Sequence, residues 1–161
     1  MKRGASPGDP GGVRIREFSA DEAGETETVI ELWERCGLTR PWNDPRLDIA
    51  RKLAVQPELF LVAVTYGEPG EPAVLVGTVM AGYDGHRGWM YYLASDPAHR
   101  GVGIGRALVA EAERRLEAMG CPKAQLMVRS ENEAAVGFYE ALGYEPGEVL
   151  VLGRRLVSDA G

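Results

Sequence analysis

Cysteine is scarce: the chain has two in 161 residues, Cys36 and Cys121. A disulfide framework is thereby excluded, and a reducing, cytoplasmic setting fits. Long apolar runs are lacking, and none approaches the roughly 20 residues of a membrane span. The opening MKRGASPGDPGG has two basic residues but no apolar core, so it does not read as a secretory signal. Positive charge is short as well. Eighteen Lys and Arg stand against 24 Asp and Glu, a net charge of −6. A protein that holds nucleic acid by bulk charge should be basic, which argues against that partner. What is there is ordinary globular material, 45% hydrophobic and 26% charged, in a length that suits one domain. Glycine alone is in excess, at 21 residues against a usual ~7%.

Residues 1–12 hold Gly4, Gly8, Gly11, Gly12, Pro7 and Pro10 with no anchoring apolar side chain, and read as a disordered tail. Residues 13–157 read as one folded domain. Val13, Ile15 and Phe18 predict a short strand at period two. Ser19 followed by Glu22 reads as a capping box. The helix behind it places Val29, Ile30, Trp33 and Cys36 on one face, with Gly37 at its end. Asp44-Pro45 reads as N-cap and first position of a second helix, to about Val55. Leu59–Tyr66, Ala73–Tyr83 and Trp89–Ser95 predict an antiparallel meander, the last two joined at Asp84-Gly85. A helix to about Met119, a strand Ala124–Val128, a helix Asn132–Leu142 and a terminal hairpin over Tyr144–Leu156 follow. The class is α/β in the mixed, α+β sense.

The densest segment is Arg100-Gly-Val-Gly-Ile-Gly-Arg106, between a strand and a helix. Glycines there let the backbone turn tightly and let a ligand approach the amides. The helix start adds unpaired N–H groups and partial positive charge, a site suited to phosphate. The dinucleotide fingerprint fails, because its third glycine would fall on Arg106 or Leu108. The P-loop fails for want of a Lys-Ser/Thr pair. What remains, Arg-x-x-Gly-x-Gly, resembles the pyrophosphate loop of the GNAT superfamily of N-acetyltransferases. Asn132-x-x-Ala135-x-x-Phe138-Tyr139-x-x-Leu142-Gly143-Tyr144 is similar to that superfamily's second conserved segment. The resemblance covers residues 13–156. Leu32-Trp-Glu-Arg-Cys36, Arg40-Pro-Trp-Asn-Asp-Pro45 and Gly82-Tyr-Asp-Gly-His-Arg-Gly88 resemble the YpeA-like bacterial subgroup.

The resemblance implies a mixed, mainly antiparallel central sheet, flanked by about four helices and splayed at the strand before the glycine loop. It implies acetyl-CoA as co-substrate and direct transfer to a primary amine of a small molecule, peptide or protein. The alternative is a non-catalytic CoA- or acyl-CoA-binding sensor. Backbone amides of Gly101, Val102, Gly103, Ile104, Gly105 and Arg106 would hold the pyrophosphate. The side chains of Arg100 and Arg106 either add charge there or stand solvated. Leu93, Ala94 and Ser95 would carry the pantetheine arm through backbone atoms, with the Leu93 amide donating to the thioester oxygen. Asn132 reads as a helix cap, as a pantetheine contact, or as both. Tyr139 would be the general acid toward the departing thiolate, or a core tyrosine on the stripe of Ala135, Phe138 and Leu142.

The strand Trp89-Met-Tyr-Tyr92 offers no carboxylate as general base, which leaves Asp84, His86, Asp44 or a water chain. The acceptor side would be formed by Trp42, Asn43 and Asp44 with Asp84, His86 and Arg87. Seven acidic residues between Glu17 and Glu34, with no Lys or Arg among them, read as a solvated helix face or as an attractor of a cationic amine. Arg40, Arg46 and Arg87 argue instead for a carboxylate-bearing substrate. No metal, membrane or nucleic acid is expected, and the family admits a homodimer.

Overall fold

Five strands form one sheet in the order of the sequence. They are β1 (Val13–Glu17), β2 (Phe60–Thr65), β3 (Val74–Tyr83), β4 (Gly88–Ser95) and β5 (Ala124–Leu126). The first four pair antiparallel and β5 joins β4 in parallel. The computed structural model describes residues 12–66, 68–99 and 101–160. The tail expected over 1–12 lies outside them except for Gly12, and so does Arg100.

Helices α1 (Glu25–Arg35) and α2 (Pro45–Ala54) cover one face; α3 (Ile104–Ala118) and α4 (Glu133–Ala141) cover the other. The pattern of β2 states the reason. Phe60, Val62 and Val64 pack with Val29, Trp33 and Ile49, while Leu61 and Ala63 pack with Leu108 and Ala112. With both faces covered, every position from Phe60 to Val64 is apolar, which removes the usual alternation. Among the described residues no helix is long and apolar enough to cross a membrane.

Helix α2 starts as its sequence predicts: Pro45 opens it and the Asp44 carboxylate accepts from the Arg46 amide at 2.9 Å. Helix α1 does not. Ser19 and Glu22 close a turn, with Glu22 N–H donating to Ser19 O at 3.3 Å, and the helix opens later, at Glu25. The Glu25 carboxylate is buried. It accepts from the Ser19 amide at 2.7 Å and from both Arg16 guanidinium nitrogens at 2.9 and 2.6 Å. The reach-back expected of Glu22 is thus made by Glu25, three residues on, which ties the first turn of α1 to β1.

The expected terminal hairpin is not formed. Residues 144–160 contain no strand, and Val149, Leu150, Val151 and Leu152 are exposed. Pro146, Gly147 and Gly153 bracket this run, and no ladder reaches it. The segment is tied near its end by Asp159. Its carboxylate accepts from the Asp44 amide at 2.8 Å and from Arg51 at 2.7 Å, and lies 3.5 Å from Arg155. The Arg51 contact, then the Asp44 amide, holds Asp159 below the usual carboxylate range. A lowered carboxylate pKa means that the tie is complete above about pH 4 and is lost as pH falls through the folded value. Asp159→Asn is expected to speed tryptic cleavage at Arg154 and Arg155 in the native protein. Unchanged cleavage would refute the tie.

Gly77 on β3 marks a close approach of α3 to the sheet. A Cβ there would meet Ile104 Cγ2 at 2.7 Å, the Ala94 carbonyl at 2.9 Å and Leu108 Cδ1 at 2.9 Å. One of these is backbone and cannot swing aside. Gly77→Ala should therefore cost about 1–3 kcal/mol, read as a lower denaturation midpoint with an unchanged m-value.

Candidate active site

The site is built around an irregularity in β4. Met80 pairs with Tyr91 and Thr78 with Ala94, so Tyr92 and Leu93 together stand opposite Val79. This is a β-bulge, and Tyr92 sits in it at φ 51, a left-handed backbone that costs a tyrosine about 1–3 kcal/mol. Three contacts hold it there. The Tyr92 ring stacks on Trp33 at 3.8 Å between centroids. Its hydroxyl donates to the Asp48 carboxylate on α2 at 2.5 Å. Its carbonyl accepts from the Thr78 hydroxyl at 2.8 Å, and that hydroxyl accepts from Trp33 Nε1–H at 2.8 Å. Thr78 is fully buried, so this chain has no water to fall back on.

The sheet opens at the same place. β5 pairs with β4 only from Gly88 to Met90. From Tyr91 to Ser95, β4 pairs with no strand on its β5 side among the described residues, so the backbone of Leu93 and Ala94 borders a gap where a linear ligand can pair, while the Ser95 carbonyl accepts from Cys36 Sγ at 3.3 Å.

Beyond β4 the chain turns into α3. Gly101 has φ 87 and Gly103, the N-cap, φ 78. A side chain would be strained at either position, so the turn depends on glycine there. The first intrahelical bond at this end runs from Ala107 N to Gly103 O at 3.0 Å. The amides of Ile104, Gly105 and Arg106 precede it and have no partner within the helix. The first turn carries no acidic residue. Donors, dipole and absence of negative charge together make an anion site. Gly105 joins it to α4: a Cβ there would lie 3.3 Å from Phe138 Cζ and 3.4 Å from Ser95 Oγ. Tyr139, next to Phe138, packs edge-on between Phe138 and Tyr144, with centroids at 5.0 and 5.9 Å. Burial pushes its pKa up to about 12. Its hydroxyl makes no hydrogen bond to another described residue.

On the α1 and α2 side lies a cleft of about 670 Å³, between the α1–α2 loop, α2, β3, β4 and the residues after β5. Tyr91 and Tyr92 line it, so it reaches the bulge. Asp48 is its one carboxylate among the described residues.

The sequence profile of the acetyltransferase (GNAT) family matches residues 26–144, more than half of the chain. The chain belongs to the GNAT family. Curated relatives agree. An acetyltransferase of Pectobacterium atrosepticum is 52% identical over 147 residues, covering 91% of this chain and 98% of its own. An acetyltransferase of Sodalis glossinidius is 52% identical over 148 residues, with the same coverage. Among solved structures, a chain of the NatC complex bound to Gag peptide and CoA superposes with a TM-score of 0.69 at 24% identity, covering 81% of this chain and 82% of that one. AAC(6')-Iy with a CoA bisubstrate analogue gives 0.67 at 18% identity, covering 90% and 99%. At such identities the likeness is one of fold. As a GNAT member the chain is an N-acetyltransferase, with acetyl-CoA as the co-substrate of the class.

This GNAT chain brings some sequence-designated residues together and separates others. Leu93, Ala94, Ser95 and the loop from Gly101 to Arg106 converge with α4 at Gly105, while Arg106 is exposed. Asn132 caps α4, its side-chain oxygen accepting from the Ala135 amide at 3.1 Å, which leaves its NH₂ as a donor. On the acceptor side only Asn43 of the designated residues lines the cleft, and its side-chain oxygen accepts from Arg155. Trp42 is exposed against Arg51 and residues 153–157. Asp44 is occupied as a helix cap. Asp84 closes the β3–β4 turn, accepting from the His86 and Arg87 amides at 2.8 and 2.7 Å, and these bonds lower its pKa. His86 is exposed beside it in the same turn.

The polar and late-chain cleft residues that sequence reasoning missed include Asp48, Arg51, Lys52, Met127 and Arg129. The helical spacing of Asp44, Asp48 and Lys52 on one predicted helix was the available signal. Met127 and Arg129 gave none. No group of three or more His, Cys, Asp or Glu among the described residues could hold a metal ion.

Proposed function

We propose that this chain moves an acetyl group from acetyl-CoA directly onto a primary amine of a small molecule or peptide. The observation that carries the reading is the opening of β4 from β5 at a bulge that lies between the glycine-capped start of α3 and the acceptor cleft. The residues fit an acyl-CoA. Amides from Gly101 to Arg106 receive pyrophosphate, the backbone of Leu93 to Ser95 pairs with the pantetheine arm, and the Asn132 NH₂ is free to donate to it.

In the transfer, the acceptor nitrogen bonds to the acetyl carbon and the carbon–sulfur bond breaks. The Leu93 amide, which stands in the bulge, donates to the carbonyl oxygen as charge develops there. Asp48 takes the amine proton, directly or through water, and the Tyr139 hydroxyl gives its proton to the thiolate.

Acetyl-CoA at 100 times its Kd should stabilise the fold by about 2.7 kcal/mol, or a Tm rise of about 5–10 °C for a domain this size. Gly103→Val should abolish the rise, because its side chain strains the φ 78 turn that presents the amides. Equal stabilisation of that variant would refute the loop assignment. Release of CoA thiol with an amine panel tests the reaction itself.

A further inference from the structure

The acceptor cleft is basic in an acidic protein. The chain has a net charge of −6, yet Arg40, Arg51, Lys52 and Arg129 line the cleft against Asp48 alone. Arg51 is committed, 2.7 Å from Asp159 and 3.5 Å from Asp48. The others are not. Arg40 donates to the carbonyls of Gly37 and Thr39, both at 2.8 Å, which fixes the guanidinium without neutralising it. Lys52 and Arg129 have no ion-pair partner among the described residues. Burial holds the Lys52 ammonium below its ordinary pKa, so its charge is partly stripped of water. A surface cation gains little from a partner, but a half-buried one regains through a bound anion what burial removed.

We propose that the acceptor carries a carboxylate beside its amine, and that Arg40, Lys52 and Arg129 receive that carboxylate while Asp48 faces the amine. The inference rests on the transferase reading above and names the acceptor class for the same site. Amino acids and short peptides with a free C-terminus have this chemistry, and a cleft of about 670 Å³ is in the range that takes ligands of that size. A polyamine or other polycationic amine would bring like charge against three cations that lack an ion-pair partner.

The test uses matched pairs on the full chain: the dipeptide Ala-Ala against its C-terminal amide, L-alanine against L-alaninamide, and spermidine. Binding is read by calorimetry and turnover by thiol release with acetyl-CoA. The carboxylate member of each pair should bind at least tenfold more tightly than its amide and exceed spermidine by more. Lys52→Gln combined with Arg129→Gln, which leaves only Arg40, should cut that preference to threefold or less and leave the KM for acetyl-CoA in place. The proposal is overturned if no carboxylate binds better than its amide, or if the double variant keeps the preference. Failure of the transferase reading looks different: acetyl-CoA then gives no Tm rise and no amine releases thiol, whatever the carboxylates do.

Discussion

Tyr139→Phe is expected to lower kcat by about 10²- to 10³-fold and to leave the acetyl-CoA-induced Tm rise unchanged. The substitution is clean. The Tyr139 hydroxyl bonds to no other described residue, and the ring that packs against Phe138 and Tyr144 is retained. Only the proton donor is removed. With its pKa pushed up to about 12, the phenol stays protonated throughout the ordinary assay range. Burial disfavours the phenolate, so the donor is lost only as pH rises toward that value. The kcat profile of the parent enzyme should accordingly show no alkaline fall from Tyr139 below about pH 11. A variant that keeps full kcat would remove Tyr139 from the chemistry. A parent that binds acetyl-CoA but releases no thiol with any amine would favour a sensor.

Thr78→Val should produce a large loss of stability for a near-isosteric change. One hydroxyl accepts from Trp33 Nε1–H and donates to the Tyr92 carbonyl, both at 2.8 Å. Valine fills the same space and leaves a buried donor and a buried acceptor unpaired. Each costs about 1–3 kcal/mol, so about 2–4 kcal/mol together after partial relaxation, a Tm fall of about 5–15 °C. The bulge also loses the bond that fixes its carbonyl, which should displace the Leu93 amide and lower kcat by up to about 10². Thr78→Ser keeps the hydroxyl and should retain most of both properties. If Thr78→Val matches the parent in Tm and kcat, the chain from Trp33 to Tyr92 does not hold the site.

The turn into α3 and the cap of α4 were legible in the sequence because their demands fall on residue type at short spacing. Only glycine turns easily at Gly101 and Gly103, and an Asn placed before Ala135 suits the cap of α4. The meander was legible for a similar reason, since Asp84 and Gly85 dictate the turn that sets the register of β3 against β4. The bulge was not legible. It exists only as a one-residue mismatch between two strands, and nothing in Tyr92-Leu93 alone announces it. The cleft was missed because it is assembled from five separate parts of the chain, with Asp48 and Arg129 some 80 positions apart in sequence. Two local signals misled. Ser19 and Glu22 had capping-box spacing, yet Glu25 took the Ser19 amide. Val149–Leu152 had strand composition but pairs with neither β1 nor β5 at the two edges of the sheet.

The stacking of Trp33 on Tyr92 gives the enzyme an internal optical gauge. The chain has three tryptophans; Trp42 is exposed, Trp89 is half-buried on β4, and Trp33 alone is fully buried, with its indole N–H bonded to the residue that holds the bulge. Its emission should therefore be the most blue-shifted of the three. Any ligand that moves the Tyr92 backbone also moves the partner beneath that indole, so binding at the bulge can be followed in the unlabelled protein.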